Sequence, residues 1–341
     1  MSAVIFDNVS IVFGDSPEVA LPLMDQGMAR PDIQAQTGQV LGVHDCALEV
    51  EDGEILVLMG LSGSGKSTLL RAVNGLNPVC RGAVQVKRGA EMVNVTQASA
   101  KTLREMRLSQ IAMVFQSFGL LPWRTVRENV GLGLELGGMA AAKRRAQVDS
   151  QLATVGLSDW AERKVGDLSG GMQQRVGLAR AFATDAPILL MDEPFSALDP
   201  LIRTRLQDEL LDLQESLKRT IIFVSHDLDE AFKIGNRIAI MEGGRIVQCG
   251  TPQEIFSAPA NDYVADFVAH MNPLGVLCAR DVMEPVEGKP VTTVAPDADI
   301  RDVMEKVGRS GAPVGVEDDG RLIGQVSKDR VLAKLLDPRA E

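Results

Sequence analysis

A glycine-rich loop between an apolar strand and a helix constrains this chain more than any other segment. Residues 55–59 read ILVLM, a run of the length expected for a buried strand in a parallel sheet. Residues 60–68 read GLSGSGKST, which fits the pattern G-x-x-x-x-G-K-[ST] in full and in the context that it requires. Backbone N–H groups of such a loop surround a phosphate, and the N-terminus of the following helix adds partial positive charge. The segment therefore predicts a nucleoside triphosphate site.

Individual residues of this phosphate-binding loop (P-loop) have distinct predicted roles. Lys66 is expected to reach the β- and γ-phosphates, and the Ser67 hydroxyl is expected to hold Mg²⁺. The predicted nucleotide-binding residues of the loop are Gly60, Ser62, Gly63, Ser64, Gly65, Lys66, Ser67 and Thr68. The loop predicts a nucleotide but not the reaction.

Two carboxylates follow another apolar run. Residues 188–193 read ILLMDE, so Asp192 and Glu193 end a predicted buried strand. Asp192 is expected to contact the Mg²⁺ shell, and Glu193 is expected to polarise the attacking water as a general base. The alternative is a strand end with a surface ion pair, which the presence of a P-loop disfavours.

Apolar runs alternate with helical patterns, which predicts a mostly parallel α/β sheet. Residues 2–13 and 40–50 are strand-like and flank residues 15–39, where three prolines indicate a small helical insertion. Residues 96–165 are rich in Ala, Leu, Arg and Glu and are predicted to be largely helical. A third buried strand is predicted at residues 221–225.

A second glycine motif indicates the family. Residues 168–172 read LSGGM and open a helical run, which makes a second anion-binding helix N-terminus. The sequence here resembles the ABC ATPase family, whose signature is usually LSGGQ. Met172 departs from the signature at its last position, whereas the phosphate-facing Ser169, Gly170 and Gly171 are intact.

The resemblance implies roles for further residues, which occur in the family's order. Gln116 matches the glutamine loop that meets Mg²⁺ and the transmembrane partner, and His226 matches the switch histidine that senses the γ-phosphate. Asp199 matches the loop that links two active sites. Phe13 matches the aromatic residue that stacks on adenine, although a strand-core role is the alternative.

ATP, Mg²⁺ and a homodimer follow from the same resemblance. In the family, Ser169 of one copy faces the P-loop of the other across a head-to-tail dimer. The residues expected to act across the dimer are Ser169, Gly170, Gly171 and Asp199. The expected catalytic residues are Lys66, Glu193 and His226, and the expected Mg²⁺ ligands are Ser67, Gln116 and Asp192.

The insertion ahead of the P-loop resembles the ATPase subunits of bacterial glycine betaine, proline and choline importers, with the choline branch slightly favoured. This resemblance implies an ATPase that powers import of choline, glycine betaine or proline betaine through transmembrane permease subunits. It implies an indirect partner, a periplasmic solute-binding protein, and a peripheral location on the cytoplasmic face of the bacterial inner membrane. The alternatives are a soluble ABC ATPase not coupled to transport and an importer ATPase for another solute.

Three regions are predicted along the chain. Residues 1–250 form a P-loop ABC ATPase core with a helical subdomain at about residues 96–180, and residues 251–275 form a helical connector. Residues 276–341 resemble a single CBS motif in a small α+β unit. A CBS pair would need two chains, and both a regulatory and a structural role for this tail stay open.

Composition excludes several classes of protein. The net charge of −11 argues against nucleic acid as a partner, because such binding needs a basic surface. The start is unlike a signal peptide, and no apolar run is long enough for a spanning helix. The four cysteines match no zinc or redox spacing and are expected to be reduced thiols.

A short apolar segment after Gln116 is the predicted docking surface for a transmembrane subunit. Its residues are Phe118, Leu120, Leu121, Pro122 and Trp123. Because they follow Gln116 directly, the state of the nucleotide could move them. The alternative is that they form part of the core of the helical subdomain.

Overall fold

The computed structural model describes residues 1–269, 273–288, 290 and 292–336. The strands of these residues are β1 (Ser2–Phe13), β2 (Val40–Glu51), β3 (Ile55–Met59), β4 (Arg81–Arg88), β5 (Glu91–Asn94), β6 (Ile111–Val114), β7 (Ile188–Asp192), β8 (Thr220–Val224), β9 (Arg237–Glu242), β10 (Arg245–Gly250), β11 (Thr293–Val294), β12 (Val314–Asp318) and β13 (Arg321–Val326). The α-helices are α1 (Leu21–Asp25), α2 (Arg30–Thr37), α3 (Lys66–Ala72), α4 (Ala100–Ser109), α5 (Val126–Val130), α6 (Leu132–Leu136), α7 (Ala141–Thr154), α8 (Gly170–Phe182), α9 (Pro200–Leu217), α10 (Leu228–Ile234), α11 (Pro252–Ser257), α12 (Asp262–Val268), α13 (Ala279–Val282), α14 (Ile300–Ser310) and α15 (Lys328–Leu336).

Packing divides the chain into two compact units. The first contains residues 1–226 and 239–247, and the second contains residues 227–238 and 248–341. The helix that follows His226, α10, thus groups with the tail by packing. The domain boundaries given above stay predictions.

A six-stranded sheet in the order β10-β9-β3-β8-β7-β6 contains a parallel core. Strands β3, β8, β7 and β6 are paired in parallel, and every residue of β3, β7 and β8 is buried. Such continuous burial is typical of a parallel sheet covered on both faces. The predicted α/β fold class is confirmed. The carboxyl ends of these strands meet at one edge, where ligands bind in open α/β sheets.

Residues 96–165, predicted to be largely helical, also contain a strand that was not predicted. Ile111–Val114 is β6, which pairs in parallel with β7 at the edge of the sheet. The run IAMV is so short that neither a strand nor a helix period can be recognised in it. The flanking segments α4 to α7 are helical as predicted.

The insertion between β1 and β2 is a small packed element of its own. It contains a 3-10 turn at Pro17–Val19 followed by α1 and α2, so the predicted helical character is confirmed. Its apolar side chains pack on the adjoining strands, and the buried cluster contains Val12, Ala20, Met24, Ile33 and Leu41. Gly38 ends α2 in the left-handed conformation, with φ of +69°. β1 and β2 continue into an antiparallel sheet in the order β2-β1-β4-β5.

The second unit contains a three-stranded sheet in the order β11-β12-β13. β12 and β13 form an antiparallel hairpin whose turn contains Asp319 and Gly320, with φ of +47° and +78°. Positive φ at both turn positions matches the twist of a two-residue hairpin. Helices α14 and α15 flank this hairpin in sequence, so the α+β character predicted for the tail is confirmed.

Candidate nucleotide-binding site

A cavity of about 620 Å³ lies where the parallel strands end. It brings together the P-loop, the residue after β7, the glutamine after β6 and the histidine after β8. Its lining residues are Phe13, Arg30, Val40, Leu41, Gly42, Ser62, Gly63, Gly65, Lys66, Ser67, Thr68, Gln116, Glu193 and His226. Most of the residues predicted from the sequence to bind nucleotide thus line one cavity, although they come from distant parts of the chain.

Glycines shape the P-loop because two of them stand where no side chain fits. Gly60 has φ of +139°, and a Cβ atom there would lie 2.1 Å from the carbonyl oxygen of Met241. Gly65 has φ of +104°, and a Cβ atom there would lie 2.7 Å from the carbonyl oxygen of Gly42. Gly65 is also the N-cap of α3, which begins at Lys66. The loop therefore leads directly to a helix N-terminus, as an anion site requires.

Lys66 is held inside the loop. Its Nζ donates to the carbonyl oxygens of Gly60 and Leu61 at 2.7 and 3.0 Å. Burial lowers the pKa of Lys66, and the carboxylates of Glu193 and Asp192 act in the opposite direction. A cation is thus placed in the cavity wall, near the carboxylates of Glu193 and Asp192.

Asp192 is a fully buried carboxylate with two side-chain partners. The Ser67 hydroxyl donates to its Oδ1 at 2.6 Å, and Arg71 Nη2 donates to its Oδ2 at 2.8 Å. Buried charges in proteins are paired in this manner, because desolvation without a partner is costly. The Ser67 and Asp192 oxygens are hard donors of the kind that Mg²⁺ prefers.

Two polar side chains of the site contact the carboxylate of Glu193. Gln116 Nε2 donates to its Oε2 at 3.1 Å, and His226 Nδ1 lies 3.3 Å from the same oxygen. Its backbone has φ of +48°, a conformation that costs energy for a residue other than glycine. Strain of this kind is concentrated at functional sites, where the surrounding structure compensates for it.

Phe13 also lines the cavity. It is the last residue of β1 and is 38% exposed, so the alternative role as a strand-core residue does not describe it. A Cβ atom at Gly42 would lie 2.8 Å from Phe13 Cε2, which shows how closely the ring approaches β2. An exposed aromatic face beside a P-loop suits stacking on a base.

The residues predicted to act across a dimer do not line this cavity. Ser169 is the exposed N-cap of α8 and accepts a hydrogen bond from the backbone N–H of Met172. Asp199 is the exposed N-cap of α9 and accepts from the backbone N–H of Ile202. Both helix starts are therefore available at the surface of the described residues.

Comparison with known proteins decides the family. The ABC transporter family profile matches residues 43–196, and the CBS domain profile matches residues 279–337. The chain is 50% identical over 275 residues to the glycine betaine/proline betaine transport system ATP-binding protein ProV of Salmonella typhimurium, covering 81% of this chain and 68% of ProV. It is 41% identical over 334 residues to the trimethylamine N-oxide transport system ATP-binding protein TmoW of Ruegeria pomeroyi, covering 96% of each chain. The chain belongs to the ABC transporter ATP-binding family.

Solved structures of an ABC cassette support the same assignment. The dimeric structure of MJ0796, a bacterial ABC transporter cassette, has a TM-score of 0.63 and 29% identity, and the match covers 73% of this chain and 98% of MJ0796. The same cassette is also solved in a post-hydrolysis state bound to ADP and Pi. The predicted ABC ATPase fold, ATP as ligand and ATPase activity are confirmed. The predicted resemblance to betaine importer ATPases is confirmed, whereas these relatives do not single out the choline branch.

Sequence reasoning missed three side chains of this ABC ATPase site. Arg71 pairs with Asp192, and Arg30 of the insertion lines the cavity. Gln174 is 1% exposed; its Nε2 donates to the Glu193 carbonyl at 3.2 Å, and its Oε1 accepts from Ala197 N–H at 3.1 Å. Gln174 lies between the polar residues Gln173 and Arg175 in the sequence, so no sequence signal set it apart. No sequence signal was available for Arg30.

Proposed function

We propose that this ABC ATPase hydrolyses ATP to power import of a quaternary ammonium solute through a membrane permease. The observation that carries the catalytic part is the Glu193 carboxylate, held by Gln116 and His226 in the wall of a P-loop cavity. The solute class, choline, glycine betaine or proline betaine, is supported by ProV, whose name includes two of them.

Hydrolysis needs a base, a cation and an oriented water. Glu193 accepts the proton of the water that attacks the γ-phosphorus, so that ADP and inorganic phosphate are formed. Lys66 supplies positive charge to the β- and γ-phosphates, and His226 holds the glutamate from the exposed side. Phe13 stacks on adenine, and the P-loop residues cradle the phosphates.

The proposed Mg²⁺ ligands are Ser67, Gln116 and Asp192. The first two line the cavity, and Asp192 contacts Ser67 directly. When bound, Mg²⁺ neutralises the charge that develops on the phosphate oxygens.

The proposed assembly is a homodimer with two equivalent ATP sites. Ser169, Gly170, Gly171 and Asp199 lie outside the cavity of their own chain, and their helix N-termini suit an anion bound to a second copy. The dimeric structure of MJ0796 supports this arrangement.

The proposed permease contact is the segment 118–123. None of Phe118, Leu120, Leu121, Pro122 and Trp123 is buried, and Trp123 is 68% exposed, which disfavours the alternative of a subdomain core. Gly119 of this segment also lines a groove of about 640 Å³. The other lining residues are mostly apolar and include three arginines, Arg104, Arg107 and Arg180. A permease helix with an apolar face and an acidic residue fits that chemistry.

This contact would place the chain on the cytoplasmic face of the bacterial inner membrane, with a periplasmic solute-binding protein as an indirect partner. No helix among the described residues has both the length and the apolar character that crossing a bilayer requires.

Reconstitution tests the proposed function. The chain, its genetically neighbouring permease and binding protein are assembled in vesicles, and uptake of labelled glycine betaine, choline, proline betaine and trimethylamine N-oxide is compared. We expect ATP-dependent uptake of at least one of the first three. ATP hydrolysis without uptake of any of them, or uptake of trimethylamine N-oxide alone, contradicts the proposed solute class.

Trp123→Ala is expected to uncouple transport from hydrolysis. The ring is exposed and follows Gln116 closely, so its loss removes apolar docking area without touching the nucleotide cavity. In vesicles, we expect uptake per ATP hydrolysed to fall about tenfold or more, as hot-spot tryptophans behave. Trp160→Ala is the matched control, because Trp160 is 40% exposed and lies outside the segment. Wild-type uptake by Trp123→Ala contradicts the docking assignment.

Truncation after Pro273 is expected to leave ATP hydrolysis by the isolated subunit intact. The residues of the nucleotide cavity all precede residue 227. Exposed charges of the tail, among them Asp318, Asp319 and Arg321, are screened within about 8–10 Å at cellular ionic strength. We therefore expect the full-length importer, but not the truncated one, to change its uptake rate across a salt series in vesicles.

Identical salt profiles for the truncated and full-length importers would show that the tail is structural. Thermal unfolding of the truncated subunit is the control, because α10 groups with the tail by packing. Loss of ATPase activity in a truncated subunit that is still folded would show that the predicted domain boundary is wrong.

A further inference from the structure

Arg30 belongs to the insertion, yet it joins two parts of the nucleotide cavity. Its Nε and Nη2 donate to the Leu41 carbonyl at 3.0 and 2.5 Å, and Nη2 also donates to the Gly42 carbonyl at 2.8 Å. Its Nη1 donates to the Gly63 carbonyl at 2.8 Å. One guanidinium thus connects the start of β2, beside Phe13, to the P-loop.

Arg30 itself is firmly anchored. It is the first residue of α2, and Ile33 on the next turn is fully buried in the cluster of the insertion. On the far side of the insertion, Asp25 of α1 accepts two hydrogen bonds from Arg81 of β4, at 2.8 and 3.0 Å. The insertion therefore presents the guanidinium from a packed support rather than from a free loop.

The bond to Gly63 restrains the direction of a P-loop N–H group. The peptide unit between Gly63 and Ser64 is planar, and its C=O and N–H point in opposite directions. Gly63 has φ of +78°, and the Ser64 N–H of this peptide unit donates to the Leu61 carbonyl at 3.1 Å. The unit is therefore held at both ends, by Arg30 and by Leu61, which fixes the backbone that leads to the following N–H groups of the loop. Binding of an anion by backbone N–H groups is strongest when they are oriented in advance.

Arginine is suited to this position in a way that lysine is not. All three acceptors are backbone carbonyls at different places, and only a planar fork with five donors can reach them together. Partial burial lowers the pKa of Arg30, but an arginine stays protonated in proteins. The positive charge therefore remains in the cavity wall.

We propose that Arg30 is a positioning residue for ATP, through which the insertion holds the P-loop and the Leu41–Gly42 wall in the binding geometry. This inference rests on the proposed assignment of the cavity to ATP. Arg30 takes part in no bond-breaking step. Its loss should therefore weaken ground-state and transition-state binding equally, which raises KM and leaves kcat unchanged.

Steady-state ATP hydrolysis by the full chain tests the proposal. For Arg30→Ala we expect KM for ATP to rise about tenfold and kcat to stay within about twofold, the pattern of lost uniform binding. Arg30→Lys keeps the charge, but its N–H groups all lie on a single nitrogen and cannot reach the separate carbonyls together. We expect KM to stay at least about threefold above wild type. Arg81→Ala is the comparison, because it removes one anchor of the insertion outside the cavity and leaves Arg30 and the buried Ile33 in place; its KM should rise less than that of Arg30→Ala.

Three results overturn the proposal. A KM within about twofold of wild type for Arg30→Ala shows that the bridge is unimportant. Full rescue by Arg30→Lys shows that charge alone is needed, and an equal rise for Arg81→Ala shows that packing of the insertion, not Arg30, sets affinity. If Arg30→Ala does not fold, Arg30→Lys provides the test. A wild-type KM for Arg30→Lys shows that the hydrogen bonds of the guanidinium are not needed, which overturns the proposal. Failure of the proposed function looks different, because wild type itself would then hydrolyse no ATP.

Discussion

Lys66→Ala is expected to reduce ATP turnover about 100-fold or more, the usual cost of removing a group that stabilises charge in the transition state. Lys66 Nζ is held at the carbonyl oxygens of Gly60 and Leu61, inside the loop that is proposed to surround the phosphates. Alanine there removes the one P-loop cation and leaves the loop glycines in place. Phosphate release at saturating ATP measures the effect.

The control for this substitution is Lys101→Ala, which removes an exposed lysine from the first turn of α4. We expect the turnover of Lys101→Ala to match wild type, because Lys101 does not line the nucleotide cavity. Turnover of Lys66→Ala within about twofold of wild type would falsify the role given to Lys66.

Glu193→Gln is expected to bind ATP, to accumulate as a closed dimer and to lose hydrolysis by about 100-fold or more, because general-base catalysis contributes that much. The amide keeps the size of the side chain and can still meet Gln116 and His226, which contact Oε2 in the native site. It cannot accept the proton of the attacking water. Size-exclusion chromatography with ATP and Mg²⁺ and a phosphate-release assay measure the two effects.

Glu91→Gln provides the comparison, because Glu91 is exposed on β5 and lies outside the cavity. It should hydrolyse ATP at the wild-type rate and elute as wild type does. A Glu193→Gln protein that stays monomeric with ATP, or that hydrolyses normally, contradicts both the base assignment and the proposed dimer.

The sequence predicted most of the nucleotide site because its residues follow wholly apolar strands. β3, β7 and β8 are buried along their full length, so their ends were recognisable and the polar residues after them could be expected at one edge. β6 was missed because its four residues lie between helices and are too few to show a period.

Arg30 and Gln174 escaped prediction for another physical reason. Their partners are backbone groups of Leu41, Gly63, Glu193 and Ala197, and a backbone partner leaves no mark in the sequence. Only the tertiary approach of the segments reveals such contacts. The role of Arg71 was hidden likewise, since its partner Asp192 is distant in the chain.

The Gln174 side chain both donates and accepts a hydrogen bond, which limits the substitutions that α8 can accept at this position. A pair of interacting side chains can change together during evolution, one replacement compensating for the other. Gln174 has no such freedom, because both of its bonds go to peptide groups, which are the same whatever residues occupy positions 193 and 197. A smaller or purely apolar replacement removes the partner of the Glu193 carbonyl and the partner of the Ala197 N–H at once. Among related sequences, the residue at position 172 is therefore expected to vary, because the Met172 side chain makes neither bond. The glutamine at position 174 is expected to be kept.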